Sequence, residues 1–211
     1  LGTIIGSAVV SVGENSIALA LILTMIFSLI LGMGIPTIPN YIITSSLAAP
    51  ILLHLGVPLI VSHMFVFYFG IMADLTPPVA LAAFAAAPMA KESGLKIGVQ
   101  AMRIAIPGFL VPYMAVADPA LMMQPVPGLE GLPYWLTVAY VTGKAVLAIG
   151  LWGIAAFGYL NGRVGWPERL IAAGTAALLV FPTITTDIAG LALTAGLAAW
   201  RFVAARRAAQ S

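Results

Sequence analysis

The sequence predicts an all-α integral membrane fold, on three observations. Apolar residues make up 62% of the 211 and charged residues only 8%, whereas soluble domains carry roughly a quarter charged residues. The apolar residues gather into the stretches 17–31, 41–55, 61–73, 79–90, 104–117, 134–160, 170–182 and 188–203, with polar or Pro/Gly breaks between them. Runs such as IALALILTMIFSLIL lack the out-and-in alternation of a membrane β-strand. The bilayer is therefore the expected solvent. A net charge of +2 suggests neither nucleic acid nor an acidic protein as partner. The lack of cysteine excludes thiolate metal sites, disulfides and cysteine nucleophiles.

Taken in order, the opening Leu-Gly-Thr-Ile-Ile is not a basic leader. Residues 1–13 read as the tail of a transmembrane helix that began upstream, so the chain is expected to be the C-terminal portion of a longer protein. The stretch 17–31 reaches only about 22 Å at 1.5 Å per residue, short of the roughly 30 Å of hydrocarbon. It ends at Gly32-Met33-Gly34-Ile35-Pro36-Thr37, where two glycines and a proline unwind or reverse a chain. The limb 41–55 is equally short and carries Thr44, Ser45, Ser46 and Pro50. Then come 61–73, the break Asp74-Leu75-Thr76-Pro77-Pro78, and 79–90, the two limbs covering about 20 Å each.

Twice in succession, then, two short limbs flank a Gly/Pro-rich break. One reading is a pair of proline kinks or surface loops. The other is broken helices at the membrane midplane, where irregular backbone is tolerated only inside protein or along a watery cavity. In secondary transporters such breaks hold substrate and coupling ions. Two consecutive breaks, each with Thr beside Pro, favour the transporter.

Basic residues set the expected topology. They form the groups Lys91, Lys96, Arg103; Arg163, Arg169; and Arg201, Arg206, Arg207. An even number of crossings separates each group from the next, so all three belong on the cytoplasmic side. Residues 124–133 and 183–187 then face outward, and 17–55 enters from outside; two thin full crossings would give the same loop parity, and the shortness of its limbs alone makes it a re-entrant hairpin. Lys144 falls inside a span, where snorkelling or a partner must hold it.

The stretch LGMGIPTIPNYIITSSLAAPILLHLGVPLIVSHMFVFYFGIMADLTPPVALAAFAAAPMA resembles the large membrane subunit of TRAP transporters, the tripartite ATP-independent periplasmic family. GMGIPT followed by Tyr41, HMFVFYFG and ADLTPPVALAAFAAA carry the likeness, and PGFLVPYMAVADPALMM resembles the family's next helix. The resemblance spans about 17–122 and is closest to fused permeases that work with TAXI-type solute-binding proteins. GYLNGRVGWPERL and FPTITTDIAGLAL resemble, with less specific motifs, the extra C-terminal helices of those permeases. One departure is Asp118 before Pro119, where Asn is expected; no function is attached to it.

The resemblance implies an elevator-type transporter of two inverted repeats, each pairing a re-entrant hairpin with a discontinuous helix. Residues 14–122 would be the second repeat, with GMGIPT at the hairpin tip and ADLTPP at the helix break. Residues 123–211 would add about three transmembrane helices. It further implies a multi-pass protein of the bacterial inner membrane, working with the upstream half of the same permease. A periplasmic TAXI-type binding protein would deliver a small organic acid, and an Na⁺ or H⁺ gradient would drive its uptake by symport. No other cofactor is implied. The alternative is a non-transporting scaffold or channel-like subunit whose breaks serve packing.

The candidate ion- and substrate-binding residues lie in those breaks. Thr37 and Thr76 offer hydroxyls to an all-oxygen cation shell, or each caps the helix that restarts beside it. Gly32, Gly34, Pro36, Pro77 and Pro78 act through backbone shape. Na⁺ is expected at Gly34, Thr37 and Thr76, mainly through backbone. Asp74, a carboxylate between apolar limbs, marks an ion or proton path, unless it is a protonated or Arg-paired structural residue. Asn40 offers its amide to a substrate carboxylate or to helix packing. His54 and His63 read as interfacial polarity without metal-ligand spacing, and Asp187 as the cap of the last helix. Enzyme signatures such as HExxH, GxSxG or a glycine-rich phosphate loop are missing.

Overall fold

The computed structural model describes residues 16–208 apart from 127, 129, 161 and 182, with side chains through Arg201. The expected upstream helix tail, 1–13, lies outside the described residues. Among those residues the chain is helical, with nothing more sheet-like than an isolated bridge between Tyr159 and Arg163. It divides into two compact units, Leu1–Val126 and Pro127–Ser211.

The first unit opens with α1, Ile17–Gly32, whose N-cap Ser16 accepts the Leu19 N–H. The helix stops at Gly32, and Gly34 turns the chain with a φ of +77°, a conformation that costs a residue with Cβ. Helix α2, Thr37–Leu47, follows Pro36 and carries Pro39 in its first turn, where a missing N–H deprives no carbonyl. It yields to α3, Ala49–His54, because Pro50 cannot donate to the carbonyl one turn back. Gly56, at φ +83°, closes α3, and α4 runs over Leu59–Met72. Residues 73–80 form the irregular stretch around Pro77 and Pro78, joined by a cis peptide bond. Helix α5, Leu81–Ala90, then leads to α6, Gly94–Ala117, and a 3-10 turn, Pro119–Met122.

Helix α4 is the hub of this unit. Leu52, Val61, Phe65, Val66 and Phe69 are essentially inaccessible. The Phe65 ring meets Phe69 at 4.9 Å and Tyr113 of α6 at 5.4 Å, and Phe69 meets Phe109 at 5.6 Å. The Tyr113 hydroxyl reaches the Met25 sulfur at 3.1 Å, tying α6 to α1. The opposite face of α1 leaves Ile22, Ile26 and Ile30 42–59% exposed, which suits hydrocarbon and not water.

Helix α6 begins ten residues before the expected 104, so Lys96 and Arg103 lie within the helix and not in a loop before it. Ser93 caps this start by accepting the Lys96 N–H, and the Lys and Arg side chains are themselves good helix formers. With 24 residues it is long and apolar enough to cross a membrane, as is α7 of the second unit, Leu132–Phe157, with 26. Helices α1, α4 and α5 are apolar but have only 16, 14 and 10 residues.

In the second unit α7 packs against α8, Trp166–Val180, and α8 against α9, Ile184–Ala208. Ala148, Leu151, Ala172, Ala176 and Leu179 form its small core. At one end Arg169 donates to the Ala155 and Ala156 carbonyls, and Arg201 to those of Leu160, Gly162 and Arg163. Arg169 thus satisfies carbonyls that the C-terminus of α7 leaves open, and Arg201 those of the loop that follows.

Candidate functional site

In the first unit, the turn after α1 lies against the irregular stretch after α4. A Cβ on Gly32 would collide with the Gly70 carbonyl oxygen, and would stand 3.0 Å from both the Ala73 Cβ and the Asn40 Nδ2. A Cβ on Gly70 would stand 2.9 Å from the Asn40 Oδ1. The two glycines thus make room for one amide, and α1 and α4 approach backbone to backbone around it. Farther along the same seam, the Cβ position of Gly34 is 3.9 Å from the Val79 Cγ1. The tip 32–37 and the break 73–80, 40 residues apart in sequence, are neighbours in space.

Asn40 is 1% exposed, and its Oδ1 has no hydrogen-bond partner among the described residues. The Asp74 Oδ1 is likewise buried and unpartnered. Leaving such an oxygen dry costs about 1–3 kcal/mol, more for a charged group, so each calls for a ligand. The Asp74 main chain is well held, its N–H on the Ile71 carbonyl and its own carbonyl accepting from Ala82 across the break. The Asp74 N–H departs from the regular i−4 pattern here and bypasses Gly70, whose oxygen faces the α1 terminus.

Thr37 and Thr76 behave differently from one another. Thr76 donates to the Met72 carbonyl at 2.7 Å and touches the Met102 sulfur at 3.4 Å. It therefore finishes α4 and does not cap α5, whose N-cap is Ala80. Its lone pairs are still open to a cation. Thr37 is exposed at the first position of α2, and the N-cap there, Pro36, offers no side-chain hydrogen bond. The N-terminus of α2 therefore presents its positive dipole end and free N–H groups beside the tip. Pro36 and Pro78 are exposed, while Pro77 packs toward Gly98 of α6.

Two oxygens escaped the sequence reading. Thr24 Oγ1 and Ser28 Oγ on α1 are buried without partners among the described residues. Together with Gly32 they recur every four residues, one face of a helix, and that spacing in an otherwise apolar helix was the available signal. Elsewhere in the unit, His63 pairs with the Tyr41 hydroxyl at 3.0 Å. Asp118 caps the 3-10 turn by accepting the Ala120 N–H. Among the described residues no group of three His, Cys, Asp or Glu side chains is placed to hold a metal. The unpartnered atoms are all oxygens, a donor set for a hard cation or for water and unsuited to a transition metal.

A model of the family described as "Tripartite ATP-independent periplasmic transporter, DctM component" matches residues 1–127. No curated protein and no solved structure matches the chain.

Proposed function

From the premise that the chain belongs to the DctM-component family of tripartite ATP-independent periplasmic transporters, and is therefore a membrane-integral permease component of a transporter family, not of an enzyme family, we propose a specific import reaction. The chain takes up a small organic acid by symport with Na⁺ or H⁺ across the bacterial inner membrane. A periplasmic solute-binding protein, of the TAXI type, hands over the acid. The permease is of the fused kind, and the first repeat lies upstream of this chain.

In this reading α1–α3 is the re-entrant hairpin and α4–α5 the discontinuous helix of the second inverted repeat. The observation that carries it is the Asn40 amide, wedged between Gly32 and Gly70 where the two interruptions meet, with a buried oxygen that nothing satisfies. The Asn40 and Asp74 oxygens and the carbonyls freed at the break are the natural ligands of a coupling cation. The Thr37 and Thr76 hydroxyl oxygens join them, and Gly34 contributes backbone. The free N–H groups of α2 suit a substrate carboxylate. Gly32, Gly34, Pro36, Pro77 and Pro78 hold the two breaks in shape. Cation binding then neutralises Asp74 and orders tip and break together, so that only the loaded domain moves as a rigid body.

The test is uptake by the full-length permease with its binding protein in proteoliposomes. Asp74→Asn is expected to abolish ion-driven uptake, and Thr37→Val to lower it at least tenfold. Wild-type rates with unchanged ion dependence in both variants reject these assignments.

A further inference from the structure

The second unit contains a buried charge cluster that the import reaction does not use. Lys144 of α7 and Asp187 of α9 are each 7% exposed. The Lys144 Nζ lies 3.1 and 3.3 Å from the two Asp187 carboxylate oxygens, and the Tyr140 hydroxyl donates to one of them at 2.6 Å. Beside the cluster is a half-open cavity of about 310 Å³ lined by Tyr140, Gly143 and Lys144 together with the apolar Ala139, Leu147 and Leu191. At roughly 30 Å³ per molecule it has room for several waters.

The depth of this cluster follows from helix arithmetic. Trp135 is 57% exposed near one end of α7, and Tyr159 and Trp166, 65% and 71% exposed, lie at the other. Aromatic rings of this kind sit at the headgroup level. Trp135 precedes Lys144 by nine residues, or about 14 Å, and Phe157, the last residue of α7, follows it by thirteen, or about 20 Å. The two belts are thus at least about 33 Å apart, enough for a hydrocarbon core of about 30 Å. Lys144 lies well inside it.

Asp187 is only three residues into α9, so the connection between α8 and α9 lies at the same level as Lys144. Helix α8 explains why, since its 15 residues rise only about 22 Å from the arginine end. The hairpin α8–α9 therefore turns inside the membrane, about 14 Å below the Trp135 belt. Beside it Thr183 and Thr185 are exposed, as are the apolar Phe181 and Ile184, and the Thr183 Oγ1 lies 2.8 Å from that of Thr186 and 3.3 Å from that of Thr185. An exposed polar turn at hydrocarbon depth is tolerated only against protein or water.

We propose that α8–α9 is a second re-entrant hairpin, entering from the arginine side, and that a water-filled crevice from the opposite face reaches its threonine turn and the Lys144–Asp187–Tyr140 cluster. The ligand of this site is water, held in the cavity beside Lys144. Apolar α7 residues at the same depth face lipid.

These 211 residues contain no cysteine, so once any cysteine elsewhere in the permease is replaced the test is direct. Single cysteines are placed in the full-length protein in sealed vesicles and treated with a charged, membrane-impermeant thiosulfonate from either side. Thr185→Cys, or Ile184→Cys where the former does not fold, is expected to react within about tenfold of the loop control Glu130→Cys, from the Glu130 side only. Val146→Cys, two residues from Lys144 and 66% exposed, is expected to react at least a hundredfold more slowly. Three results overturn the proposal: a turn cysteine as inert as Val146→Cys, equal reactivity at both positions, or reaction from the arginine side.

Discussion

At the residue scale the site depends on what is absent from two side chains. Gly32 and Gly70 admit the Asn40 amide, and a methyl group on Gly70 would sit 2.9 Å from its Oδ1. Overpacking of this kind costs about 1–3 kcal/mol. Gly70→Ala is therefore expected to destabilise the solubilised permease by about that amount, measured by denaturant unfolding. Gly70→Ala combined with Asn40→Ala should recover most of the loss, because the colliding amide is gone, while uptake stays defective. A double variant no more stable than Gly70→Ala alone would mean that the strain lies elsewhere. The sequence marked Asn40 as a donor to substrate or to packing, and it marked Gly32 as a shape residue. It was silent on Gly70, which looks like any helical glycine until α1 is laid against it. Contacts across 30 or more residues leave no local periodicity to read.

At the element scale the interruptions were legible and their partners were not. Gly34, Pro36, Pro50, Pro77 and Pro78 end helices for reasons internal to a few residues, so the limbs of the first unit stand close to where the pattern placed them. The start of α6 was missed because Lys91, Lys96 and Arg103 were read as loop charges, although Ser93 caps a helix that carries two of them. Lys144 announced the need for a partner, and Asp187, read as a cap, proved to be that partner 43 residues away. The capping role falls to Thr183, whose Oγ1 accepts the Thr186 N–H. This pair ties the start of α9 to the middle of α7. Removing one member leaves the other charge uncompensated, at a cost on the order of 3 kcal/mol. Lys144→Met is expected to destabilise the protein by that order, and the doubly substituted Lys144→Met/Asp187→Leu to regain most of it, since an apolar pair replaces a buried ion pair at little net cost. Equal losses in the single and double variants would show that the pair is not coupled. The measurement is again denaturant unfolding in detergent micelles.

At the scale of the whole molecule, the bilayer decides what the chain may expose. Composition made that legible at once, and the structure adds the isoleucine-rich outer face of α1 and two helices long enough to cross. The family match ends at residue 127, so orientation beyond it must be argued from charge alone. Arg163, Arg169 and Arg201 gather at one end of the second unit, where Arg169 and Arg201 bond to carbonyls at the end of α7 and in the loop after it, while the loop before α7 carries Glu130 and no basic residue. Translocating arginines near a helix end is disfavoured, and it is the basic residues and not the net charge that set orientation. We propose on this ground that the arginine end is cytoplasmic and Glu130 periplasmic, with α7 as the crossing between them. A phosphatase reporter, active only outside the cytoplasm, inserted after Glu130 is expected to be active, and inserted after Arg163 to be inactive, by at least tenfold. Replacing Arg163 and Arg169 with Gln should weaken that contrast, because the retention signal is thinned while helix length is unchanged. An active reporter after Arg163 in the unsubstituted protein would invert the unit, and with it the side from which water must reach the threonine turn.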